Sequence, residues 1–294
     1  MPRSASTLLQ RRLFPALRGF GFYGPEVTHY GRAFRQMLYT DDTLYSPDDF
    51  SRAVQGMREG DTVISNELFS GQSAYLNAGN RSRTARRLAA AFPEGEIILI
   101  LRSQTALLRS LYSMAVYAGD FQMPEDFVQF DAEESDTAGM PTYRHAERAE
   151  IYRYSPLIAL FEKYFNRVHL FLYEDLRADP EGFIDRFASV TGTEYENHPD
   201  FSRKVNSSLS MLQISVLRKL NRWKDAHEAT SIGKKVFRAK VRLTERYAGG
   251  KRAFTFPEKL DARISRYFAE DNARLAATHP QLTESGLFES HYLP

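Results

Sequence analysis

The sequence predicts an α/β fold of three layers, in which a parallel sheet is flanked by helices and a mostly helical part follows. Strand and helix patterns alternate over residues 61–192, and such alternation is typical of a parallel sheet. The two clearest strand patterns, 96–101 and 168–173, are continuous apolar runs, as expected for strands covered on both faces. Ligands of such sheets bind beyond the carboxyl ends of the strands, so the residues that follow each strand are the candidates for a site.

Length and composition favour one globular domain. The 294 residues include 43% hydrophobic and 26% charged residues. We expect a single domain over 1–294, with an α/β core over 1–200 and a helical portion over 201–294. The net charge of +2 gives no overall field for nucleic acid, and the absence of cysteine rules out disulfides and cysteine metal sites.

Nothing in the sequence predicts a membrane-bound protein. It contains no apolar window of about 18 residues, which a membrane span requires. The first residues lack the long apolar core of a secretory signal, so we expect a cytoplasmic protein.

The first elements alternate as the fold class requires. Residues 6–19 predict an amphipathic helix, which Pro15 should kink or end. A short strand over 61–65 and a helix over 81–92 follow. Further predictions are, in order, the strand 96–101, a helix near 105–117, a helical stretch 146–165 interrupted by Pro156, the strand 168–173, and a helix from Asp179-Pro180 to Gly192. From Leu209 the chain is predicted to be mostly helical.

Three segments carry residues suited to an anionic ligand. The first is residues 2–7 (PRSAST), which run directly into the first helix. Small and hydroxyl residues at a helix start expose backbone N–H groups to phosphate or sulfate oxygens, and Arg3 adds a permanent positive charge. A disordered terminus with a simple Ser/Thr helix cap is the alternative. The segment is not a nucleotide-kinase loop, which requires GxxxxGK[ST].

The other two segments follow the two strongest strands. Arg102 ends the first, and Ser110 follows eight residues later in the next helix. Tyr173 begins the segment YEDLRADP at the end of the second, where an aromatic ring can lie against a purine. The alternatives are a surface arginine, an ordinary helix serine, a core tyrosine, and acidic residues in turns or caps.

Together, and in this order, the three segments resemble the family of sulfotransferases that use 3′-phosphoadenosine-5′-phosphosulfate (PAPS), in particular its bacterial and carbohydrate-directed members. Residues 2–7 resemble the family's 5′-phosphosulfate loop, usually Pro-Lys/Arg-Ser-Gly-Thr-Thr. Residues 102–112 resemble its 3′-phosphate motif, and 173–180 its Tyr-Glu-Asp-Leu segment. The resemblance implies a P-loop-like sheet and transfer of a sulfuryl group from PAPS to a hydroxyl or amine of a glycan, glycolipid or small metabolite.

The resemblance also implies roles for single residues. Ser4 and Ala5 fall in the phosphosulfate loop, and Arg3 falls where the family contacts the transferred group. The other donor-binding positions are Ser6 and Thr7 for the 5′ phosphosulfate, Arg102 and Ser110 for the 3′ phosphate, Tyr173 near adenine, and Lys251 and Arg252 in a loosely matching basic glycine loop. An ordinary turn is an equally good interpretation of that last segment.

Two questions stay open at this point: the effect of Ala5 in the loop and the identity of the catalytic base. Ala5 stands where the family has glycine; if that position needs a positive φ, alanine costs on the order of 1 kcal/mol. The base that deprotonates the acceptor is expected to be Glu67, which follows the strand 61–65 in a segment resembling Ile-Ser-x-Glu. His29, after the β-like segment Val27-Thr28, is the competitor. No clustered metal-ligand spacing occurs, so no metal is expected.

Other functions remain possible from the sequence. One is a catalytically inactive protein that binds nucleotide or a partner on the same fold; a P-loop kinase fits less well. The acceptor and the oligomeric state cannot be read from the residues. Because a phosphate loop normally follows a central strand, and one residue cannot form a strand, we expect the natural chain to begin upstream of Met1.

Overall fold

The computed structural model describes residues 4–71, 80–130, 147–195, 209–225 and 253–293. Within these ranges the chain forms two compact units. The first contains the described residues of 1–103, 153–205 and 270–293, and the second those of 104–152 and 206–269.

The described strands form parallel pairs. Their bounds are β1 Gly21–Tyr23, β2 Thr62–Ile64, β3 Ile97–Leu101, β4 Val128–Gln129, β5 Glu147–Arg148 and β6 Val168–Leu172. In the first unit β1 pairs with β2 and β3 pairs with β6, whereas the short pair β4–β5 belongs to the second unit.

Helices make up most of the remaining regular structure. The α-helices are α1 Ser6–Leu8, α2 Pro25–Thr28, α3 Arg32–Tyr39, α4 Pro47–Ala53, α5 Arg81–Ala91, α6 Gln104–Ala118, α7 Pro124–Phe127, α8 Tyr154–Glu162, α9 Tyr173–Ala178, α10 Pro180–Thr191, α11 Met211–Asp225, α12 Glu258–Thr278 and α13 Leu287–Tyr292. Leu9–Leu13 is a π-helix, and the 3₁₀ turns are Phe14–Ala16, Gln55–Arg58, Glu67–Ser70, Ala149–Tyr152 and Pro280–Leu282.

Two apolar cores cover the two faces of the strands in the first unit. We call the core built on α3, α4, α5 and α8 the first core; Phe34, Leu88 and Phe161 are among its buried residues. The core built on the helical segment 6–16 and α10 is the second core, and it includes Leu13 and Phe187. Helices on both sides of the strands give the predicted three-layer arrangement.

The second unit has its own packing. The ring of Tyr112 in α6 lies 5.2 Å from that of Phe127 and 5.2 Å from that of Phe254. In α11, Asn221 donates through Nδ2 to the carbonyl oxygens of Val116 (2.7 Å) and Asp120 (2.6 Å), which ties α11 to α6 and its C-terminal turn.

The α/β class, the parallel strands and the helical C-terminal part are confirmed. The strands of 61–65, 96–101 and 168–173 form with bounds one or two residues shorter. The helix opened by Asp179 also forms: its carboxylate accepts from Gly182 N (3.0 Å), and Gly192 ends the helix at φ 66°.

Three local predictions were wrong in part. The first helical segment is π-helical over Leu9–Leu13 and ends at Ala16, three residues early, because Pro15 sits in a closing 3₁₀ turn. The stretch 146–165 is not one interrupted helix, since Pro156 lies in the first turn of α8, where proline is tolerated. Val27 and Thr28 are helical, not β-like, so His29 follows a helix.

Candidate functional site

The loop that enters the first helical segment has an unusual backbone. Ala5 caps this segment at φ 63° and ψ 10°, and the N–H groups of Leu8 and Leu9 donate to its carbonyl oxygen at 2.9 and 3.0 Å. Among the described residues, Ala5 is the non-glycine residue with a positive φ. The position of Ala5 therefore does require a positive φ, the case in which the sequence analysis expects alanine to be strained. Arg3 lies outside the described residues.

Ser4 and Ser6 face a cavity of about 850 Å³ in the first unit. Ser4 is 1% exposed, and its hydroxyl oxygen has no hydrogen-bond partner within the described ranges. The helical segment is tied to the end of β2, because Gln10 Nε2 donates to Ser65 Oγ (3.1 Å). Thr7 follows in α1 and is half-buried.

The chain after β2 brings Glu67 to the same cavity. Asn66 fixes this turn: its Nδ2 donates to the Thr28 carbonyl (2.8 Å), and its Oδ1 accepts from Leu68 N (2.8 Å). Glu67 then begins the 3₁₀ turn Glu67–Ser70 and lines the cavity with Ser4 and Ser6. A carboxylate and two hydroxyl groups thus line the same cavity.

His29 has a different environment. It is half-buried directly after α2, and its Nε2 is buried without a hydrogen-bond partner in the part of the chain that the structure describes. Its ring makes an edge contact with Tyr30, with ring centres 6.2 Å apart. Glu67, and not His29, is among the residues that line the cavity beside Ser4.

Arg102 lies one residue beyond β3, at its carboxyl end. Its guanidinium group is 4.5 Å from the ring centre of Tyr173, a cation–π contact between the ends of neighbouring strands. The Tyr154 hydroxyl donates to the Arg102 carbonyl oxygen. These contacts hold both the backbone and the head group of Arg102.

Glu174 is a residue whose importance sequence reasoning missed. The alternative interpretation of its segment made it a turn or cap residue, yet it is buried and accepts hydrogen bonds from two sides. Its Oε1 accepts from Ser103 N (3.1 Å), and its Oε2 accepts from the Tyr292 hydroxyl (2.9 Å). The sequence feature that could have identified Glu174 is its place directly after Tyr173 in the segment YEDLRADP, at the end of the predicted strand 168–173.

The tyrosines near this carboxylate are strongly perturbed. Burial, above all, raises the pKa of Tyr154, while the positive charges of Arg102 and Arg81 act in the opposite direction. Burial and the neighbouring Glu174 carboxylate raise the pKa of Tyr292. Arg81 also donates through Nε to the Ser70 carbonyl (2.8 Å), at the end of the turn that Glu67 begins. Arg81 is therefore a second cation, beside Arg102, near Tyr154. The sequence analysis did not single it out.

The remaining predicted residues are less informative. Ser110 lies within α6, in the second unit. Lys251 and Arg252, with Gly249 and Gly250, lie outside the described residues. The structure thus brings together Ser4, Ser6 and Glu67 at the cavity, and Arg102 with Tyr173 beyond β3 and β6.

The described ranges contain no group of three His, Asp or Glu side chains that could hold a metal ion. Nor does any helix in them have the length and apolar character to cross a membrane.

Comparison with known proteins identifies the fold. The chain matches no protein-family model and no curated protein. Among solved structures it is similar to a sulfotransferase from Alicyclobacillus acidocaldarius, with a TM-score of 0.53 and 15% sequence identity. The match covers 97% of this chain and 94% of that chain. The chain therefore has a sulfotransferase fold.

Proposed function

We propose that this protein is a sulfotransferase that moves a sulfuryl group from PAPS to a hydroxyl or amine of a glycan, glycolipid or small metabolite. The observation that carries the proposal is the left-handed Ala5 at the start of the first helical segment. Alanine adopts this conformation at a cost of about 1 kcal/mol or more, so the turn must be imposed by its surroundings. It falls at the position where the resembling phosphosulfate loop has glycine.

Donor binding would use the carboxyl edge of the strands. The N–H groups that begin the helical segment, with the hydroxyls of Ser6 and Thr7, suit the 5′ phosphosulfate. Arg102 supplies a charged, forked donor for the 3′ phosphate, and Ser110 joins it by resemblance to the family motif. Tyr173, already stacked on Arg102, keeps that guanidinium oriented and offers an aromatic surface near the adenine.

The transfer itself is a displacement at sulfur. The acceptor oxygen or nitrogen forms a bond to sulfur while its proton passes to the Glu67 carboxylate. The bond between sulfur and the bridging oxygen breaks, and its electron pair leaves with adenosine 3′,5′-bisphosphate. Arg3 would balance the charge that develops on that oxygen. A nucleotide phosphate is a good enough leaving group that none of these steps calls for a metal.

The proposal covers the whole chain. We propose one functional domain over 1–294, acting in the cytoplasm, with the donor and one acceptor as its partners. Support for Glu67 as the base is its position: it begins the turn after β2 and shares a cavity with Ser4 and Ser6.

The decisive experiment compares two nucleotides that differ by the 3′ phosphate. We expect Arg102→Ala to weaken binding of adenosine 3′,5′-bisphosphate by about ten- to a hundredfold, the worth of a charge-assisted hydrogen bond. Binding of AMP should change little, because it lacks the group that Arg102 contacts. Isothermal titration calorimetry measures both affinities.

Arg52→Ala is the matched control, since Arg52 is exposed and pairs with Asp49 on the surface. Equal losses for the two nucleotides would refute the role of Arg102. Normal binding by the unaltered protein, without transfer from ³⁵S-labelled PAPS to any acceptor in an extract, would favour an inactive binding protein.

A further inference from the structure

Helix α11 has two different sides. Ile214 and Leu217 are buried, and Asn221 bonds to α6 through Nδ2, so this side holds the helix in the second unit. Residues four and seven positions apart share one side of a helix, and two such sets lie on the opposite side of α11. They are Met211, Arg218 and Arg222 in one set and Leu212, Lys219 and Trp223 in the other. We call these six residues the outer face of α11.

The apolar side chains of the outer face are accessible to solvent. Leu212 is 61% exposed, Met211 45% and Trp223 40%. Met123, in the segment after α6, is 47% exposed, and its sulfur accepts a hydrogen bond from Arg218, so it adjoins this face. A single exposed apolar residue needs no explanation, but a group of them on one surface marks contact with another molecule or with a membrane.

The outer face is also positively charged. Lys219 and Arg222 are exposed and Arg218 is half-buried. Over 211–224 the sequence holds four Lys or Arg and no Asp or Glu. Arg218 donates through Nε to the Phe121 carbonyl (3.2 Å), and the Arg222 guanidinium lies 5.8 Å from the centre of the Phe121 ring. The face therefore presents apolar side chains and cations together, with no carboxylate of its own to balance the charge.

We propose that the outer face of α11 docks on an anionic membrane surface, with the helix lying in the plane of the bilayer. A helix in this position buries its apolar side chains at the boundary between headgroups and acyl chains, while its cations pair with anionic headgroups. Trp223 suits this boundary, because its ring is apolar and its N–H is polar. The apolar stems of Lys219 and Arg222 can lie along the same boundary with their charges among the phosphates. The contact is peripheral: the helix lies on the bilayer and does not cross it.

Charge distinguishes this surface from a second copy of the chain. A two-fold dimer brings the same patch of both subunits together. Lys219 and Arg222 of one copy would then lie against the cations of the other, and like charges in close contact cost free energy. A bilayer with anionic lipids instead supplies both an opposite charge and an apolar phase. The inference does not rest on the proposed function, because its test measures binding and not transfer.

Trp223 allows a direct measurement, since it is the only tryptophan in the sequence. The 294-residue protein is mixed with vesicles of phosphatidylcholine and phosphatidylglycerol in equal amounts, and in parallel with vesicles of phosphatidylcholine alone. We expect the emission of Trp223 to move to shorter wavelength with the anionic vesicles and much less with the neutral ones. Acyl chains brominated near the headgroup should quench it. Raising the salt to about 1 M, where the Debye length is about 3 Å, should release the protein.

The cations are tested by a double substitution. Lys219→Gln with Arg222→Gln should weaken binding to the anionic vesicles by about tenfold or more, because each cation near such a surface contributes about fivefold. Arg52→Gln with Arg274→Gln is the matched control: it removes the same charge from exposed side chains of the first unit. This control should bind nearly as well as the unaltered protein. Co-sedimentation with vesicles measures all three affinities.

The apolar contact is tested by a separate pair of variants. Leu212→Gln should weaken binding to the anionic vesicles by about tenfold, since an apolar side chain no longer enters the bilayer. Leu44→Gln is the matched control, because Leu44 is 79% exposed in the first unit and lies outside the outer face. Both leucines are exposed, so both variants should unfold in urea as the unaltered protein does.

Four results would overturn the proposal. The first is no binding to anionic vesicles at low salt, and the second is binding that leaves the emission of Trp223 unchanged, because another surface would then make the contact. The third is equal affinity for heparin, a soluble polyanion, with no effect of Leu212→Gln on vesicle binding; the face would then recognise charge alone. The fourth is a dimer in analytical ultracentrifugation that Leu212→Gln dissociates, which would assign the face to a second copy.

Discussion

At the scale of single residues, Ala5 holds a left-handed backbone conformation that glycine adopts more readily. Glycine reaches φ 63° without a steric cost, whereas alanine places its Cβ close to the following carbonyl oxygen. The conformation persists because the helical segment that follows is anchored: Leu9 and Leu13 are buried in the second core, and Gln10 is bonded to Ser65. The packing of the helical segment thus holds one strained residue.

Replacing this residue should stabilise the protein. We expect Ala5→Gly to raise the free energy of unfolding by about 1 kcal/mol, because the relief of the left-handed strain outweighs the loss of the Ala5 methyl group from the edge of the second core. Urea unfolding measures the change. Ala16→Gly, in the 3₁₀ turn Phe14–Ala16, is the control and should be neutral or destabilising. A loss of stability in Ala5→Gly would mean that the turn carries no strain.

Substitutions of single residues can also distinguish Glu67 from His29 as the base that deprotonates the acceptor. Glu67→Gln should lower turnover with PAPS by about 10²-fold or more, because a general base contributes that much, and it should leave nucleotide affinity unchanged. His29→Asn should leave turnover nearly unchanged, since His29 does not line the cavity beside Ser4. Initial rates and calorimetry measure both. Normal rates in Glu67→Gln with loss in His29→Asn would make His29 the base.

At the scale of elements, the ends of β3 and β6 are held by side chains distant in sequence. Tyr154 begins α8 and bonds to the backbone at Arg102, while Glu174 at the start of α9 bonds to Ser103 N. The hydroxyl of Tyr292, in the C-terminal helix α13, donates a hydrogen bond to the same Glu174 carboxylate. The strand ends that would bind the donor are thus fixed by three helices.

Removing the central carboxylate should loosen this arrangement. In Glu174→Ala, Ser103 N and the Tyr292 hydroxyl lose their acceptor, and each buried group left unpaired costs about 1–3 kcal/mol. We expect that loss of stability in denaturant unfolding, and weaker binding of adenosine 3′,5′-bisphosphate because the backbone at Arg102 is less fixed. Glu174→Gln, which keeps one acceptor oxygen, should lose clearly less. Equal losses in the two variants would contradict a role for these hydrogen bonds.

At the scale of the whole molecule, buried tyrosines make the fold sensitive to alkali. Burial raises the pKa of Tyr195 to about 12 and raises those of Tyr154 and Tyr292 further above the ordinary value. These hydroxyls stay protonated in the folded protein while the unfolded chain releases their protons above about pH 10. Stability is therefore fully present below pH 10 and is lost as the pH rises toward the folded pKa values.

The expected loss can be measured directly. Between pH 10 and 11.5, the fully buried Tyr154 and Tyr292 should each lower the free energy of unfolding by up to about 1.4 kcal/mol per pH unit. Tyr154→Phe combined with Tyr292→Phe should reduce this slope, whatever the combined variant loses in stability at pH 8. Unfolding by urea at a series of pH values gives the slopes. The same slope in both proteins would show that other groups cause the loss.

The sequence by itself determined the elements whose signals are local. The apolar runs of β3 and β6, the Asp179 cap and the Gly192 stop depend on residues a few positions apart, so they could be predicted. The resemblance of three segments then led to the fold that the structural comparison supports. The roles of Arg3, Glu67 and Ser110 remain predictions.

The tertiary structure alone decided what depends on distant residues. Glu174 meets Tyr292 across 118 residues, and Arg102 meets Tyr154 across 52, distances at which no local pattern carries information. Arg81 reaches the site edge for the same reason. Local propensity fixes which residues form a strand or helix, whereas packing and hydrogen bonding between distant elements decide which side chains meet.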